Sequence, residues 1–483
     1  MRAIRTKALA VVVSVAVPAV IRAQQPPVSL QSVSQVAATI RDSGAAFGPR
    51  LWPGYRPDTI ALMYAFPGGG AALYDWPGAP PEGFAPLPGA GSAAWRAASD
   101  RGAANSSAFI DNRPVAQMNV STTERAALLG LTLHEAFHAF ERASIREGAR
   151  FGRGENAALV ASYPAFDAAN EAGMALEGRI LAAALRADKD ADARRLLREY
   201  SAVRASRARA LPPQMAEYED MAELNEGLAE YVQVKDEQLF EGGPEQQAMM
   251  RLLDDLTGST DISFRRRYYV TGAALGLLLD RLVGPGWKTR LVDQNLTLAE
   301  LAAQVSSAHV DEEAARRAAQ RAFGYDALVE RAMLQTAALR AQRRHLVDSL
   351  MNRPGVLVEL NGEALAQRFI GHCGFDPWNT LQVGDGSVLH TRWLRVCGSG
   401  GRWEGEFNAP VLQDSDFTTL RAVVGAEDSV RLTVNGSPVP LGSLTRMQDA
   451  QGVAIDAPGL TLRVSHADLE REGRLLRIRL PAR

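Results

Sequence analysis

The chain has 483 residues, of which 46% are hydrophobic and 22% are charged, as in ordinary folded globular proteins. This length exceeds that of a usual single core and predicts two or more domains. Acidic and basic residues nearly balance, at a formal net charge of −2, which argues against a nucleic-acid-binding protein because such a protein needs a basic face.

The N-terminal segment is typical of a cleavable signal peptide. Three basic residues within positions 1–7 precede an apolar run over 8–20, which is too short to span a bilayer comfortably. Cleavage is expected after Ala23, so residues 1–23 are predicted to be removed and the protein to be periplasmic or secreted. No cysteine lies near this site and no later apolar run reaches membrane-spanning length, so we expect no stable membrane anchor.

The predicted elements divide the rest of the chain into a mixed beginning, a long helical stretch and a β-rich end. Alternation of apolar and polar residues between turn residues predicts strands, and stretches rich in Ala, Leu, Arg and Glu predict helices. In chain order we expect an entry helix and loop over 24–57, a hairpin of Thr59–Phe66 and Ala71–Trp76, a loop over 77–92, a strand over Phe109–Val120 placed at an edge by Pro114, helices from Ser121 to about Asn352, and short strands after Pro354.

This order predicts an α+β protein in two parts. A mainly helical domain with a small N-terminal β-sheet is expected over 24–352, and an all-β domain, a sandwich or barrel-like sheet, over 353–483. Cys373 and Cys397 are the only cysteines, and in an oxidising compartment they most simply form one disulfide, with two free buried thiols as the alternative. Core or strand positions, rather than a sugar-binding platform, are expected for Trp378, Trp393 and Trp403.

One predicted helix is unusually apolar. Ser121-Thr122-Thr123-Glu124 fits a capping box, which predicts a helix start at Ser121. The run over 126–140 is apolar nearly all round, so this helix is expected to be buried.

The same helix carries an HExxH pattern. His134 and His138 lie four residues apart and project from one face, which suits two nitrogen ligands of one zinc ion. Glu135 can then act as general base toward water on that ion. The chain has only seven histidines, which argues against a chance occurrence. The alternative is a pair of hydrogen-bonded core histidines with Glu135 as a local cap.

A third ligand is expected from a carboxylate, because position 144, where an HExxHxxGxxH motif has its third histidine, is Ser. The segment LNEGLAEYV lies at 224–232. HExxH followed by this segment resembles the gluzincin metallopeptidases, especially the aminopeptidase-N type, in which the Glu of an NEGFA segment is the third zinc ligand. The resemblance implies a zincin-like catalytic domain with Glu226 as the third ligand and Glu135 as the base.

The chain departs from that family in its spacing and in one motif. Between His138 and Glu226 lie 87 residues, more than in the family, and an inserted pair of helices around 164–187 and 189–210 explains the length. Glu171 and Glu177 lie in this insert, and either is an alternative ligand. The GAMEN strand of the aminopeptidases is absent, so exopeptidase or endopeptidase action stays open, although the strand over 109–120 stands where a substrate-aligning edge is expected.

A tyrosine is a candidate for stabilising the oxyanion. Tyr269 lies in YVTGA, which is similar to the YxKGA segment that supplies a transition-state tyrosine in the aminopeptidase-N type, with Thr271 at the lysine position. Tyr268 is the second choice. As core or surface aromatics the two tyrosines would be unremarkable.

Several charged residues have open roles. The stripe of Glu219, Glu223, Glu226 and Glu230 falls on one face of a helix over Met215–Leu239, and a solvated face is one interpretation of its first two members. Glu230 is a candidate to orient a metal-bound histidine. Solvated positions are expected for Arg265–Arg267, with substrate-carboxylate binding as the alternative, and for the arginines between 194 and 209.

The predicted function is that of an exported zinc-dependent metallopeptidase, with peptides or proteins as substrates. Glu135 would activate a zinc-bound water to hydrolyse the peptide bond, and Tyr269 would stabilise the oxyanion. The alternatives are a catalytically silent, zinc-containing binding or scaffold protein and a metal-dependent hydrolase of a non-peptide amide. No nucleic-acid partner is expected, and the oligomeric state stays open.

Overall fold

The computed structural model describes residues 30–66, 69–87, 93–97, 105–120, 124–240, 245–258, 264–306, 311–362, 372–376, 379–398 and 401–480. The predicted signal peptide lies outside the described residues, as do Trp378 and positions 121–123 of the expected capping box.

Helices dominate the chain up to residue 351 and strands follow, which confirms the predicted α+β class. A π-helical segment over Glu223–Gly227 joins two of the helices into one continuous run. The α-helices are α1 Leu30–Leu51, α2 Arg125–Ala143, α3 Ala168–Arg186, α4 Asp190–Ala210, α5 Pro213–Ala222, α6 Leu228–Phe240, α7 Glu245–Gly258, α8 Phe264–Val283, α9 Trp287–Asp293, α10 Leu298–Val305, α11 Glu312–Ala322 and α12 Tyr325–Met351.

A small mixed sheet precedes α2. Its strands are β1 Ala61–Ala65, β2 Ala71–Tyr74, β3 Ala85–Pro86, β4 Ala94–Arg96, β5 Ser106–Ile110 and β6 Arg113–Asn119. They are ordered β3-β4-β2-β1-β6-β5. β1 and β2 pair antiparallel, which confirms the predicted hairpin.

The prediction of a single strand over 109–120 is wrong, because this stretch contributes to two paired strands, β5 and β6. Asp111 and Asn112 form the turn between them, with φ of 47° and 59°. Asp and Asn are the non-glycine residues that best tolerate this left-handed conformation. The edge position expected for Pro114 is also wrong. Pro114 lies in the inner strand β6, just before the pairing with β1 starts at Val115, so its missing N–H interrupts no ladder bond to β1.

The C-terminal strands form an extended, largely antiparallel sheet with its own apolar core. Cys373 in β8 and Cys397 in β11 form the predicted disulfide, with Cα atoms 5.9 Å apart. Trp403 lies in β12 and in this core, as expected. Trp393 is only half-buried and lies directly before β11, where it packs on Gly374 of β8. The strands are β7 Leu357–Asn361, β8 His372–Phe375, β9 Thr380–Gln382, β10 Val388–His390, β11 Leu394–Cys397, β12 Trp403–Phe407, β13 Val411–Gln413, β14 Thr419–Val423, β15 Arg431–Val434, β16 Ser437–Val439, β17 Arg446–Ala457, β18 Leu460–Glu472 and β19 Leu475–Arg479.

Helix α2 runs through the main core, between the small sheet and helix α6. It begins at Arg125 rather than at the predicted Ser121, and Glu124 at its N-cap makes no side-chain capping bond. The expected burial is confirmed, since Leu128, Leu133 and Phe137 are fully buried. None of the helices in the described part of the chain combines the length and hydropathy that a bilayer-spanning segment requires.

The π-helical segment and α8 touch backbone to backbone. A Cβ atom on Gly227 would lie 2.6 Å from Cα of Gly272, and a Cβ on Gly272 would lie 2.8 Å from the carbonyl oxygen of Glu223. Only glycine fits at this crossing. Glu226 directly precedes Gly227, so the contact helps to set the position of its carboxylate relative to α2.

Gly272→Ala is expected to lower the free energy of unfolding by about 1–3 kcal/mol, the usual cost of an overpacked core. Alanine normally stabilises a helix interior relative to glycine. A lower free energy of unfolding in this variant would therefore come from the clash with Gly227. Gly286→Ala is the matched control, because its new Cβ would meet no atom within 4 Å. Equal midpoints of the two variants in urea unfolding would contradict the close contact.

Candidate metal centre

Three side chains from two elements converge at the centre of the helical region. α2 supplies His134 and His138, and the π-helical segment supplies Glu226. The Nε2 atom of His138 lies 3.2 Å from both the Nε2 atom of His134 and the Oε2 atom of Glu226. The Nε2 atom of His134 lies 3.5 Å from the same carboxylate oxygen. All three side chains are buried, and the group could hold a metal ion.

The electrostatics of this group favour a positive charge at its centre. The Nδ1 atom of His138 lies 3.1 Å from Oε2 of Glu141, so His138 stands between two carboxylates. Burial alone would lower the pKa of His138, but Glu226 and Glu141 outweigh it and hold that pKa well above its usual range. The same carboxylates that attract a proton attract a metal cation, which would take the place of that proton.

Glu141 is a member of the site that the sequence interpretation missed. Its side chain is 1% exposed, and burial raises its pKa to about 7 against the opposing effect of His138. A carboxylate on the outer nitrogen of a ligating histidine fixes the tautomer and the ring orientation. The signal was present in the sequence, since Glu141 follows His138 by three residues on the same helix.

Glu135 lies beside the three ligand candidates without being one of them. It is 4% exposed and lines a cleft together with His134 and His138. Its Oε2 atom makes no hydrogen bond within the described residues, and burial raises its pKa above the usual range. An unpaired buried carboxylate oxygen is costly for stability, and through this oxygen Glu135 makes no capping hydrogen bond.

Arg265 connects the carboxylate of Glu226 to the rest of the candidate site. Its Nη2 atom donates to Oε1 of Glu226 at 2.5 Å and also to Glu155, while its Nη1 atom donates to the hydroxyl of Tyr269 at 2.9 Å. Burial raises the pKa of Glu226, but Arg265 and His138 outweigh it and hold that pKa well below its usual range. The solvated turn expected here is wrong, because Arg265 is buried in the first turn of α8.

Glu155 is the second residue that the sequence interpretation missed. It lies in the connection between α2 and α3, and besides Arg265 it accepts a hydrogen bond from Nδ2 of Asn225 at 2.8 Å. Glu155 thus accepts hydrogen bonds from both Asn225 and Arg265, which lie on either side of the Glu226 side chain. Nothing in the local sequence around Glu155 signals this role, because its partners are 70 and 110 positions away.

Of the two candidate tyrosines, only Tyr269 lies at the cleft. Tyr269 lines the cleft and its ring stacks on His134, with centroids 5.7 Å apart and planes 13° apart. Burial raises the pKa of Tyr269 well above its usual range, so the hydroxyl keeps its proton. Tyr268, the second choice, is buried away from the cleft and donates to Glu219 at 3.1 Å.

Glu230 is not hydrogen-bonded to the histidine it was expected to orient. Its Oε2 atom is 3.9 Å from Nδ1 of His134, beyond hydrogen-bond distance. Both of its oxygens instead accept from Arg266, at 2.9 and 2.8 Å. The pair lines the cleft wall, so Glu230 contributes charge near the site.

The alternative ligands from the insert lie elsewhere. Glu177 pairs with Arg207 at 2.7 Å, and Glu171 pairs with Arg267 at 2.6 Å. Among the described residues, the group that could hold a metal contains Glu226 and neither of these.

The solvated face suggested for Glu219 and Glu223 is wrong, since their side chains are 0% and 1% exposed. They face Arg204 and Arg207 of α4, which corrects the solvated interpretation of those two arginines as well. α4 packs against α3 and α5, so a stripe of acids meets a stripe of bases inside the protein.

The candidate metal centre opens into a cleft of about 530 Å³. It is lined by Ser106 and Ser107 of β5, by Gly152–Glu155 and by the start of α8. β5 is the outermost strand of its sheet in the described residues. An outer strand can accept an extended peptide as a further strand.

Comparisons with protein-family models, with curated proteins and with solved structures gave no match. The gluzincin resemblance therefore rests on the HExxH and LNEGLAEYV segments, whose His134, His138 and Glu226 lie together in the fold.

Proposed function

We propose that the protein is an exported zinc metallopeptidase. The observation that carries this proposal is the convergence of His134, His138 and Glu226 beside the unpaired oxygen of Glu135 in an open cleft. Two histidines and a carboxylate are a typical ligand set of catalytic zinc, in which a fourth position stays open. The donor set fits this ion, as do the carboxylates of Glu226 and Glu141 on either side of His138.

Each residue of the site has its own role in the proposed peptide hydrolysis. A bound zinc ion would supply a Lewis acid that strengthens water as a nucleophile. Glu135 takes a proton from the attacking water and delivers it to the leaving amine. Tyr269 donates a hydrogen bond from its hydroxyl group to the carbonyl oxygen as negative charge develops there. Arg265 holds the Tyr269 hydroxyl and the Glu226 carboxylate in fixed positions.

The edge strand β5 supports a peptide as the substrate. An extended chain that pairs with β5 would pass along Ser106 and Ser107, which line the cleft. This arrangement favours a peptide over a compact non-peptide amide. Export is supported by the basic and apolar N-terminal sequence at 1–23 and by the disulfide, which is typical of oxidising compartments.

Glu226→Ala is expected to abolish stoichiometric zinc binding, because it removes one of three protein ligands. The wild-type protein should retain one zinc ion per chain after dialysis, measured by mass spectrometry of the metal. Glu230→Ala is the control, since Glu230 lines the same cleft but pairs with Arg266. Full zinc retention in Glu226→Ala would refute the ligand assignment.

Hydrolysis separates the peptidase from the two alternatives. The zinc-loaded protein should cleave members of a denatured-protein and peptide library, lose this activity with a chelator and regain it with zinc. Zinc binding without any cleavage would instead support a scaffold protein. Cleavage confined to amides of cell-wall fragments would support the non-peptide hydrolase.

A further inference from the structure

We propose that Arg142 and Phe109 form a substrate subsite that binds a carboxylate beside the scissile bond. The inference rests on the proposed peptidase function and deepens it by naming a substrate class. Peptides with an acidic side chain, or with a free C-terminal carboxylate, at this position are the preferred substrates.

The position of Arg142 follows from the helix that carries the metal ligands. His134, His138 and Arg142 are spaced by four residues each and lie on one face of α2. Arg142 is therefore slightly more than one turn, or about 6 Å, beyond His138 along the helix axis. It lines the same cleft as both histidines. An extended peptide advances about 3.3 Å per residue, so one helical turn corresponds to one or two substrate residues.

Arg142 differs from the other arginines of the cleft in its partners. Arg153, Arg265 and Arg266 each form an ion pair, with Glu217, Glu226 and Glu230 respectively. Within the described part of the chain, no carboxylate forms an ion pair with Arg142. This side chain thus offers a positive charge to the cleft that no acidic group of the described residues neutralises.

Phe109 restrains the guanidinium group and shapes the subsite. The Cζ atom of Arg142 lies 5.9 Å from the centroid of the Phe109 ring, and the ring is 56% exposed. A guanidinium over an aromatic face keeps its N–H edges available for a bidentate contact. Carboxylates are the groups that match this fork of donors best. A substrate bound at Arg142 would also cover the exposed ring of Phe109, and burial of this apolar surface favours binding.

The edge strand brings the substrate to this pair. Phe109 lies on β5, two residues after Ser107, which lines the cleft. A peptide that pairs with β5 therefore runs past both the candidate metal centre and Phe109. Its carboxylate can come from an Asp or Glu side chain or from the C-terminus itself.

Paired peptides test the subsite and identify the source of the carboxylate. One set carries Asp or Asn at each position around the cut in C-terminally amidated peptides, and a second set compares free acids with amides. The wild-type protein should favour the carboxylate member at one position by about fivefold or more in kcat/KM. An Asp preference in amidated peptides identifies a side chain, and a free-acid preference identifies the C-terminus.

Arg142→Gln should remove this preference, so that kcat/KM for the carboxylate peptide falls to the value for its neutral partner. Arg146→Gln is the matched control, because Arg146 is an exposed arginine outside the cleft lining and should keep the full preference. Arg142→Glu should turn the preference toward Lys over Gln at the same position.

Two results would overturn the subsite while the peptidase function stands: equal cleavage of the paired peptides by the wild type, or an undiminished preference in Arg142→Gln. Absence of all cleavage would count against the peptidase function instead. In that event calorimetry with Asp- and Asn-containing peptide hydroxamates decides the subsite, since weaker binding of the Asp member to Arg142→Gln supports it and equal binding refutes it.

Discussion

Glu135→Gln is expected to lower peptide hydrolysis by about 10²–10⁴-fold while zinc content stays at the wild-type level. The substitution keeps the shape of the side chain and removes its ability to accept a proton. Because Glu135 is not one of the three converging candidate ligands, the metal should stay in place. Single-turnover rates on a library-derived peptide, with the metal measured on the same samples, check this expectation.

The control for this variant is Glu230→Gln. Glu230 lines the same cleft, but both of its oxygens are held by Arg266, so it is not free to exchange protons with a substrate. We expect its rate to fall by less than about tenfold. If Glu135→Gln retained full turnover, Glu135 would not be the base, and a loss of zinc in this variant would place it among the ligands.

Local spacing made the core of the site predictable. Two histidines four apart on an apolar helix must share a face, whatever surrounds that helix. Glu226 came from a resemblance, and the fold brings it to the histidines through a π-helical turn and the Gly227–Gly272 contact. Such a turn has no clear signature in a single sequence, so the position of Glu226 beside the two histidines had to come from the fold.

The charged residues around the site were less predictable for a physical reason. A stripe of glutamates at helical spacing looks the same whether it faces water or a second helix that carries arginines. Glu219 and Glu223 proved to be buried because α4 presents Arg204 and Arg207 to them. Their burial depends on tertiary partners that the local pattern does not contain.

The two strands mistaken for one illustrate the opposite case, in which a local signal was present. Asp111 and Asn112 adjoin each other in a stretch of otherwise strand-like residues, and both types favour turns. Read as turn residues, Asp111 and Asn112 predict the hairpin of β5 and β6. The same interpretation also places β5, and not the strand that contains Pro114, at the edge beside the cleft.

Arg207→Met is expected to lower the free energy of unfolding by about 3–5 kcal/mol, the usual effect of removing one partner from a buried ion pair. Arg207 contacts both oxygens of Glu177, at 2.7 and 3.0 Å, and both oxygens of Glu219, at 2.6 and 2.7 Å. Its loss leaves two buried carboxylates with Arg204 as their remaining cation. Arg209→Met is the control, since its pair with Glu312 is exposed and should contribute less than about 1 kcal/mol.

The pH dependence of this loss identifies its cause. Burial alone would raise the pKa of Glu219, but Arg207 and Arg204 outweigh it and lower that pKa to about 2 from the usual 4.5. A carboxyl whose pKa is lower in the folded state stabilises the protein above pH 4.5, and this contribution disappears as the pH falls toward 2. The deficit of Arg207→Met should therefore be largest near neutral pH and shrink below pH 4.5. A deficit in urea unfolding that is independent of pH would instead indicate lost packing of the arginine side chain.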